Sequence, residues 1–513
     1  MAKTGPGQDL DLKPKKVLNQ FPDFAAFLSY MDGLGLFSMN PGLERTRAVL
    51  RRLGLERLPY TAVQVVGTNG KGSSSAMLAQ LAEEYGLKTG LYTSPHFVSL
   101  RERVRINRTM LSEADWTSLA NKLLRAGAGV LSWFEFTTCL CVLAFAEAGV
   151  DLAVMESGLG GTYDAVTATP ADLVIFTPIA LDHEFVLGST LAAIAADKAG
   201  AMRPGVTALS GPQDREAMAE LEKYAALRAC PLHKVEVSSP LPFAPGQEDL
   251  TLHGRHQLGN ARLALTAFHI LREKKIFPPP LLDRLARAED FAGARHSQKK
   301  LCQRQLEARA LSQAFMPGRM QRIPAAHVKL EQMSIENVGK NLAAAAFPLG
   351  RPTLLLDGAH NPHGLAALGA SLATEGTAPA AVIFSCLRDK DLERMLPHLR
   401  VLSTGPIFIP PIQDNPRAAQ PEDLAARIGL DSRPVSSLLA ALGAASSHII
   451  RRLPEALPEV VPGPPPDTLS RSLPGSLRVG MDKNPLLVCG SLYLLGEFYA
   501  LFPQFLEAPP WDA

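Results

Sequence analysis

Residues 65–80 read "VVGTNGKGSSSAMLAQ", and the fold turns on how this stretch is read. Two valines end a β-branched run, Gly67, Gly70 and Gly72 surround Lys71, and the small and apolar residues that follow suit a helix. A strand passing through such glycines into a helix gathers backbone N–H groups and a helix N-terminus around one point, where an anion is stabilised. Lys71 adds a cation able to reach outer phosphates, and Ser73 or Ser74 offers a hydroxyl to a magnesium ion. The strict phosphate-loop spacing G-x-x-x-x-G-K-[ST] is not met, because residue 65 is valine and Gly72 follows the lysine. The loop alone therefore leaves a second reading open: a glycine turn with an incidental lysine.

Outward from the loop, residues 61–205 alternate short β-rich runs with longer helix-like segments, the pattern of a mostly parallel sheet wrapped by helices. The runs are "AVQVV" from Ala62, "KTGLYT" from Lys88, "DLAVMES" from Asp151 and "DLVIFTP" from Asp172. Their near-continuous apolar character suits central strands covered on both faces. In open α/β sheets, ligands sit beyond the carboxyl ends of the strands. Each run delivers polar groups there: the glycine loop, then Thr93-Ser94-Pro95-His96, then Glu156, then Asp182-His183-Glu184. The Ser94 hydroxyl, Glu156 carboxylate and His183 imidazole, converging near bound phosphates, would make a magnesium shell. Taken singly, Ser94 also suits a turn, Glu156 a helix cap and His183 a buried hydrogen bond. Four such coincidences at one sheet edge favour the functional reading.

At 513 residues the chain exceeds the size at which one core keeps growing, so two domains are expected. A formal net charge of +2 gives no reason to expect nucleic acid or an anionic membrane as partner. Six cysteines in this length do not suggest a disulfide framework, and the close pair Cys139 and Cys141 reads as packing. "MAKTGPGQDLDLKPKK" lacks an apolar secretion core, and its aspartates count against a transit peptide, so the protein reads as cytoplasmic rather than mitochondrial. A basic, glutamine-rich tract around "HSQKKLCQRQLEARALSQ" reads as a helical or mobile insertion at about 286–312, followed by the linker-like break "MPGRM". A second, smaller α/β region of Rossmann-like character follows, with "PTLLLDGAHNP", "AAVIFSCLRDKD", "GPIFIPPI" and "PLLVCGSLYLLGEF". The domains are thus placed at 1–316 (P-loop ATPase-like) and 317–513, with a proline-rich loop at about 453–484.

A specific resemblance emerges from "GTNGKGS", "TSPHF…RERVRIN", "ESGLGGTYDA", "ALDHEFVLGSTLAAIAADKAG", "HQLGNARLAL", "MPGRMQ", "DGAHNP" and "VCGSLYLLGE", in this order. Together they resemble the ATP-dependent folate ligases, dihydrofolate synthase and folylpolyglutamate synthase, within the larger Mur ligase group. The resemblance implies transfer of the ATP γ-phosphate to a carboxylate and displacement of phosphate by the amine of L-glutamate. It implies that Gly67, Thr68, Asn69, Gly70, Lys71, Gly72 and Ser73, with Asn260, Arg319, Asp357 and His360, surround ATP. Ser94, Glu156 and His183 match the family's magnesium ligands, and Lys71, Lys198 and His183 its catalytic groups. Lys198 by itself suits a helix C-terminus; the resemblance implies a carbamylated lysine holding a second magnesium. A monovalent cation belongs to the same implied set.

"SWFEFTT" falls where the family contacts the pterin: Ser132, Trp133, Phe134 and Glu135, joined by Gly160, Thr162 and Asp164 of the glycine-rich loop. Trp133 and Phe134 would offer apolar or stacking faces, and Glu135 would accept from ring nitrogens. Arg417 resembles a glutamate-binding position. Thr162-Tyr163 stands where the bacterial pattern commonly has Arg-Leu, which touches substrate detail more than phosphate chemistry. Asn69 and Glu135 look like the dihydrofolate synthase side, and the similarity is greatest to fungal dihydrofolate synthases. The expected partners are 7,8-dihydropteroate or a reduced folate, L-glutamate and ATP, acting on a monomer. Polyglutamylating or bifunctional activity, a binding-only paralogue and a cell-wall Mur ligase remain the alternatives. A regulatory nucleotide switch is disfavoured because no guanine-reading N-K-x-D is present.

Overall fold

The computed structural model describes residues 20–35, 41–243, 250–289, 296–324, 327, 352–403, 405–429, 431–451 and 484–507. The N-terminal residues 1–19 and most of the proline-rich stretch at 453–484 lie outside these. Two sheets organise the rest. The first contains β1 (Thr61–Val66), β2 (Thr89–Tyr92), β3 (Val104–Ile106), β4 (Thr109–Met110), β5 (Leu152–Glu156), β6 (Leu173–Phe176), β7 (Thr207–Ser210) and β8 (Leu232–Lys234). Its order is β4-β3-β2-β5-β1-β6-β7-β8. All pairings from β2 to β8 are parallel, whereas β3 and β4 add an antiparallel hairpin at one edge.

Every residue of β1 is buried, because the strand lies between β5 and β6 with helices over both faces. The helix that follows the glycine loop, Lys71–Glu84, is buried from Gly72 through Ala82. Such all-round burial explains its lack of a polar face: one side meets the sheet, another the helices Arg255–Glu273 and His296–Gln313. The basic tract is therefore not peripheral at its end, since Ala310, Leu311 and Ala314 share a core with Met77 and Leu78. Of its charges, exposed Arg309 pairs with Glu84 at 3.1 Å, while Glu307 is buried against His269 at 2.7 Å.

The second sheet contains β9 (Gln321–Ile323), β10 (Leu354–Leu356), β11 (Ala381–Phe384), β12 (Ile407–Ile409), β13 (Ser432–Pro434) and β14 (Leu486–Cys489). The order β13-β12-β11-β14-β10-β9 is parallel except for β9, which runs antiparallel to β10. Separate apolar cores cover its two faces. The fold class is thus α/β with two mostly parallel sheets. No helix among the described residues is long and apolar enough to cross a membrane.

Candidate active site

At the end of β1 the backbone turns through Gly67 (φ 154°) and Gly70 (φ 84°). A Cβ at Gly67 would lie 1.9 Å from the Thr177 hydroxyl oxygen, and one at Gly70 would lie 2.4 Å from Asn260 Oδ1. Gly67 is also closed by the Thr177 carbonyl at 2.9 Å, whereas a side chain at Gly70 would have to displace the Asn260 amide. Gly70 begins the Lys71–Glu84 helix with no side-chain cap, so the first-turn N–H groups lack intrahelical partners. Gly70, Lys71, Gly72 and Ser73 all line a cavity of about 1380 Å³. The N–H groups of Thr68 and Asn69 are used otherwise: both donate to the Pro178 carbonyl, at 3.0 and 3.2 Å, and so pin the loop against the end of β6. The two serines also separate. Ser74 Oγ donates to Asn260 Oδ1 at 3.4 Å, whereas buried Ser73 Oγ has no protein partner.

Two lysines serve the loop. Lys71 Nζ donates to the Thr68 carbonyl at 3.1 Å, and Lys198 Nζ donates to the Gly67 carbonyl at 2.9 Å. Lys198 is buried in the last turn of the Leu191–Ala199 helix, and it reaches across to the loop rather than covering its own helix end. Burial, reinforced by the Lys71 charge, pushes the Lys198 ammonium down to about 7. Glu156 ends β5 fully buried, and its Oε2 accepts from the Ser94 N–H at 3.1 Å. Burial raises its carboxyl above the ordinary range, against the pull of Lys71, Arg319 and Arg103. His183 lies in the left-handed region (φ 52°) and lines the same cavity as Ser94 and Glu156. Burial pushes its imidazole down to about 4, leaving a neutral ring at neutral pH. Among the described residues no three His, Cys, Asp or Glu side chains converge as a metal cage. Magnesium requires none, since it takes one or two protein carboxylates and completes its shell with phosphate and water.

On the Arg255–Glu273 helix beside the loop, Asn260 Nδ2 donates to Gln257 Oε1 at 2.8 Å. The second half supplies the opposite wall. Arg319 follows the linker, its Nη1 donating to the Gly318 carbonyl at 3.0 Å. Asp357 accepts from the Met320 and Ala359 N–H groups, each at 2.8 Å, and so fastens the linker to the end of β10. His360 Nδ1 lies 2.6 Å from the Gly358 carbonyl. Arg417 pairs with Asp389 at 2.6 Å while lining the cavity.

Sequence reasoning named Asp182 only as one polar group among several and overlooked its partners. Its Oδ1 takes Lys390 Nζ at 2.6 Å; its Oδ2 takes Asn361 Nδ2 at 3.0 Å and stands 3.5 Å from His360 Nε2. Burial works against its charge, yet His360, His183 and Lys390 hold the carboxyl well below the usual range. Asn69 completes this seam, its side-chain nitrogen 2.9 Å from His363 Nδ1 and its oxygen accepting from Asn361 at 3.2 Å. Arg103, within "RERVRIN", was also missed as a site residue. It lines the cavity while buried, lies 4.6 Å over the Trp133 ring, and donates from Nε to His96 at 2.8 Å.

That stacking corrects the expectation for Trp133, which carries Arg103 on one face and does not line the cavity. Ser132, Phe134 and Glu135 do line it. The Glu135 carboxylate is already engaged, accepting from Ser132 N at 2.8 Å and pairing with Arg45 at 3.0 Å. It therefore braces its helix start, where a ring-nitrogen acceptor was expected. Gly160 and Thr162 likewise turn from the cavity. A Cβ at Gly160 would meet Asp197 and Leu187, and the Thr162 hydroxyl donates to the Asp197 carbonyl at 2.8 Å. Asp164 faces the cavity and caps the loop, accepting from Leu159 and Val166 N–H groups at 2.9 Å each.

Comparison with known proteins agrees with this architecture. Residues 347–457 match the family model "Mur ligase, glutamate ligase domain". A dihydrofolate synthase/folylpolyglutamate synthase of Mycobacterium tuberculosis is 30% identical over 440 residues, covering 76% of this chain and 78% of the relative. Its counterpart in Bacillus subtilis is 27% identical over 77% of this chain and 86% of the relative. Among solved structures, Mycobacterium tuberculosis folylpolyglutamate synthase complexed with ADP and AMPPCP superposes with a TM-score of 0.68 at 25% identity, covering 95% of this chain and all of that one.

Proposed function

Because the chain belongs to the dihydrofolate synthase/folylpolyglutamate synthase family, we propose that it joins L-glutamate to 7,8-dihydropteroate at the expense of ATP, giving dihydrofolate, ADP and phosphate. The observation that carries the ligase reading is the convergence, in one cavity, of an uncapped helix start, Lys71, buried Glu156 and cationic groups from the second sheet. The γ-phosphoryl passes to the substrate carboxylate, and the glutamate amine then displaces phosphate. Such transfer needs positioning and charge neutralisation more than a protein nucleophile. The first-turn N–H groups and Lys71 hold and neutralise the phosphates. Arg319, fixed by the linker, reaches the nucleotide from the other wall. Arg417 and Lys390 offer charge to the carboxylates of glutamate.

The donor set fits a hard cation: a carboxyl whose charged form burial disfavours, and which a cation would therefore stabilise, and an orphaned Ser73 hydroxyl face the same space. Ser94, Glu156 and His183 would hold magnesium, with carbamylated Lys198 holding a second ion and a monovalent cation nearby. When bound, magnesium neutralises phosphate charge. We retain the division near residues 316/317, the monomer and the cytoplasm as parts of this proposal.

Asn69 and Glu135, read against the family pattern, support dihydropteroate as the acceptor. The bifunctional relatives favour a second reading, polyglutamylation of tetrahydrofolate by the same site. ADP release from purified protein with magnesium and glutamate separates them. Release with dihydropteroate alone is expected; release with both acceptors makes the enzyme bifunctional. Release with tetrahydrofolate alone overturns the preferred acceptor, and none with either, in folded protein that binds ATP, overturns the ligase.

A further inference from the structure

Arg319 enters the cavity from the linker, so its place there depends on what holds the linker backbone. Gly318, just before it, is the anchor. The Gly318 carbonyl accepts from Arg319 Nη1 at 3.0 Å and from the Gly358 N–H at 2.8 Å. Its N–H donates to Gln321 Oε1 at 3.1 Å, and that oxygen also accepts from the Tyr499 hydroxyl at 2.5 Å. The guanidinium lies so close to Gly358 that a Cβ there would fall 2.5 Å from Nη1. Wherever packing sets Gly318, the guanidinium follows.

One aromatic ring sets it from the other half. Phe97 lies in the loop after β2, three residues beyond Ser94, and packs against the core on one face of the second sheet. Among the described residues it is the single side chain of the first half that does so. Its ring meets Tyr499 of the Leu492–Leu501 helix, with centroids 4.8 Å apart and planes tilted by 58°. A Cβ at Gly318 (φ 65°) would lie 2.8 Å from Leu495 Cδ1 and 3.2 Å from Phe97 Cζ, so the linker backbone is confined between these two side chains. Gly496 permits the same approach on the helix, where a Cβ would lie 2.8 Å from the Phe97 carbonyl oxygen. The backbone of Phe97 is held without its ring: the buried Glu102 carboxylate accepts from the N–H groups of Phe97, Val98 and Ser99 at 2.8, 2.7 and 2.6 Å. Truncating the ring thus leaves the loop in place, and Ser94 with it, while opening space beside Gly318.

Resting on the reading of Arg319 as a nucleotide contact, we propose that Phe97 is a positioning residue, a wedge from the first half that fixes the linker and so aims Arg319 at ATP. Close-packed groups transmit displacement because they leave no room to absorb it, and a misplacement of about 1 Å is enough to spoil an aligned contact. Phe97 does not line the cavity, so any effect it has on the nucleotide must pass through another group.

The test is equilibrium binding of ADP, with magnesium, to the full chain and to Phe97→Ala, Arg319→Ala and the double variant. The ADP Kd should rise about 10-fold or more in Arg319→Ala and about 5-fold in Phe97→Ala. Because the ring acts through the guanidinium, the double variant should match Arg319→Ala within about 2-fold, where independent losses would multiply. Phe97→Leu, which keeps an apolar wedge, should recover affinity to within about 2-fold of the parent. Phe408→Leu, which thins the same core on β12, should lower the melting temperature and leave the ADP Kd unchanged. Multiplied losses in the double variant, or a Phe97→Ala that binds ADP as the parent does, reduce Phe97 to packing; either overturns the proposal and leaves the ligase reading standing. An Arg319→Ala with unchanged ADP affinity removes the guanidinium's role and the proposal with it. An unaltered chain that binds no ADP sinks the functional reading itself, and this inference falls with it.

Discussion

Lys71 and Lys198 place two ammonium groups on adjacent carbonyls of one short loop, Thr68 and Gly67. The Lys71 charge adds to burial in pushing the Lys198 ammonium down to about 7, so either an arriving anion or loss of the Lys198 proton relieves the repulsion. Lys71→Ala should lower ATP-dependent turnover by orders of magnitude with the melting temperature nearly unchanged; a rate close to the parent's would remove Lys71 from phosphate handling. Asp164 allows a test by pH. Burial raises its carboxyl to about 6, against the N–H donors of Leu159, Val166 and Gly158 and the Lys198 charge. The native state therefore binds more protons than the unfolded chain between about pH 4 and 6, and stability falls as pH rises through that window. Relative to Asp164→Asn, the parent should lose up to about 3 kcal/mol over those two units and then level off. Melting curves at half-unit steps read this, and a difference independent of pH would place the carboxyl in its ordinary range. The lysine and the aspartate were both legible as site residues, but which N–H groups remain free for a ligand was not. That depends on Pro178, more than a hundred residues from the loop, accepting from Thr68 and Asn69.

At the scale of elements, the four central strands read from apolar runs all appear, because fully buried parallel strands need no alternating pattern. The strands β3, β4, β7, β8, β9 and β13 were not read, whereas the equally short β10 and β12 were, because they sit in the apolar runs "PTLLLDGAHNP" and "GPIFIPPI". The tract at about 286–312 is helical over His296–Gln313, one of the two readings its sequence allowed, but its packing was not legible. Its charges dominate the composition, yet the few small apolar residues that face the core decide its place, packed on the Lys71–Glu84 helix. The junction of β1 with that helix is the element on which the site depends. Gly70→Ala should be destabilising by about 1–2 kcal/mol for its left-handed backbone, with Asn260 displaced in addition. Nucleotide affinity should fall at least 10-fold, measured by ADP titration. Unchanged affinity would show that the N–H cluster is not the phosphate cradle.

For the whole molecule, the seam between the two sheets' halves runs through Asp182. Lys390, Asn361 and His360 all come from the second half, and Asn69 adds a contact from the loop itself. These contacts join the two walls of the cavity, and on the proposed ligase reading a closed cavity would protect an acyl phosphate from water. Removing one member of a buried ion pair leaves the other unpaired and typically costs about 3–5 kcal/mol. Lys390→Ala should therefore lower the melting temperature by several degrees and turnover at least 10-fold. ADP should compact the parent in small-angle scattering, and the variant less. A variant equal to the parent in all three would mean that the seam carries no closure.

The sequence by itself determined the α/β class, the strand-loop-helix around Lys71 and the family, because these rest on local patterning and on motifs of fixed spacing. It also marked most residues that line the cavity, since strands in a parallel sheet must end at one edge. Tertiary structure decided what the candidates do: Trp133 against Arg103 and Thr162 on Asp197 lie off the cavity, while Glu135 lines it with its carboxylate on Arg45. It also decided that Asp182 meets Lys390, two residues separated by 208 positions. Side-chain direction and long-range pairing depend on the packing of elements against one another. No window of sequence contains that packing. The stretch from Val65 to Gln80 fixed where an anion would go, and only the assembled halves fixed what surrounds it.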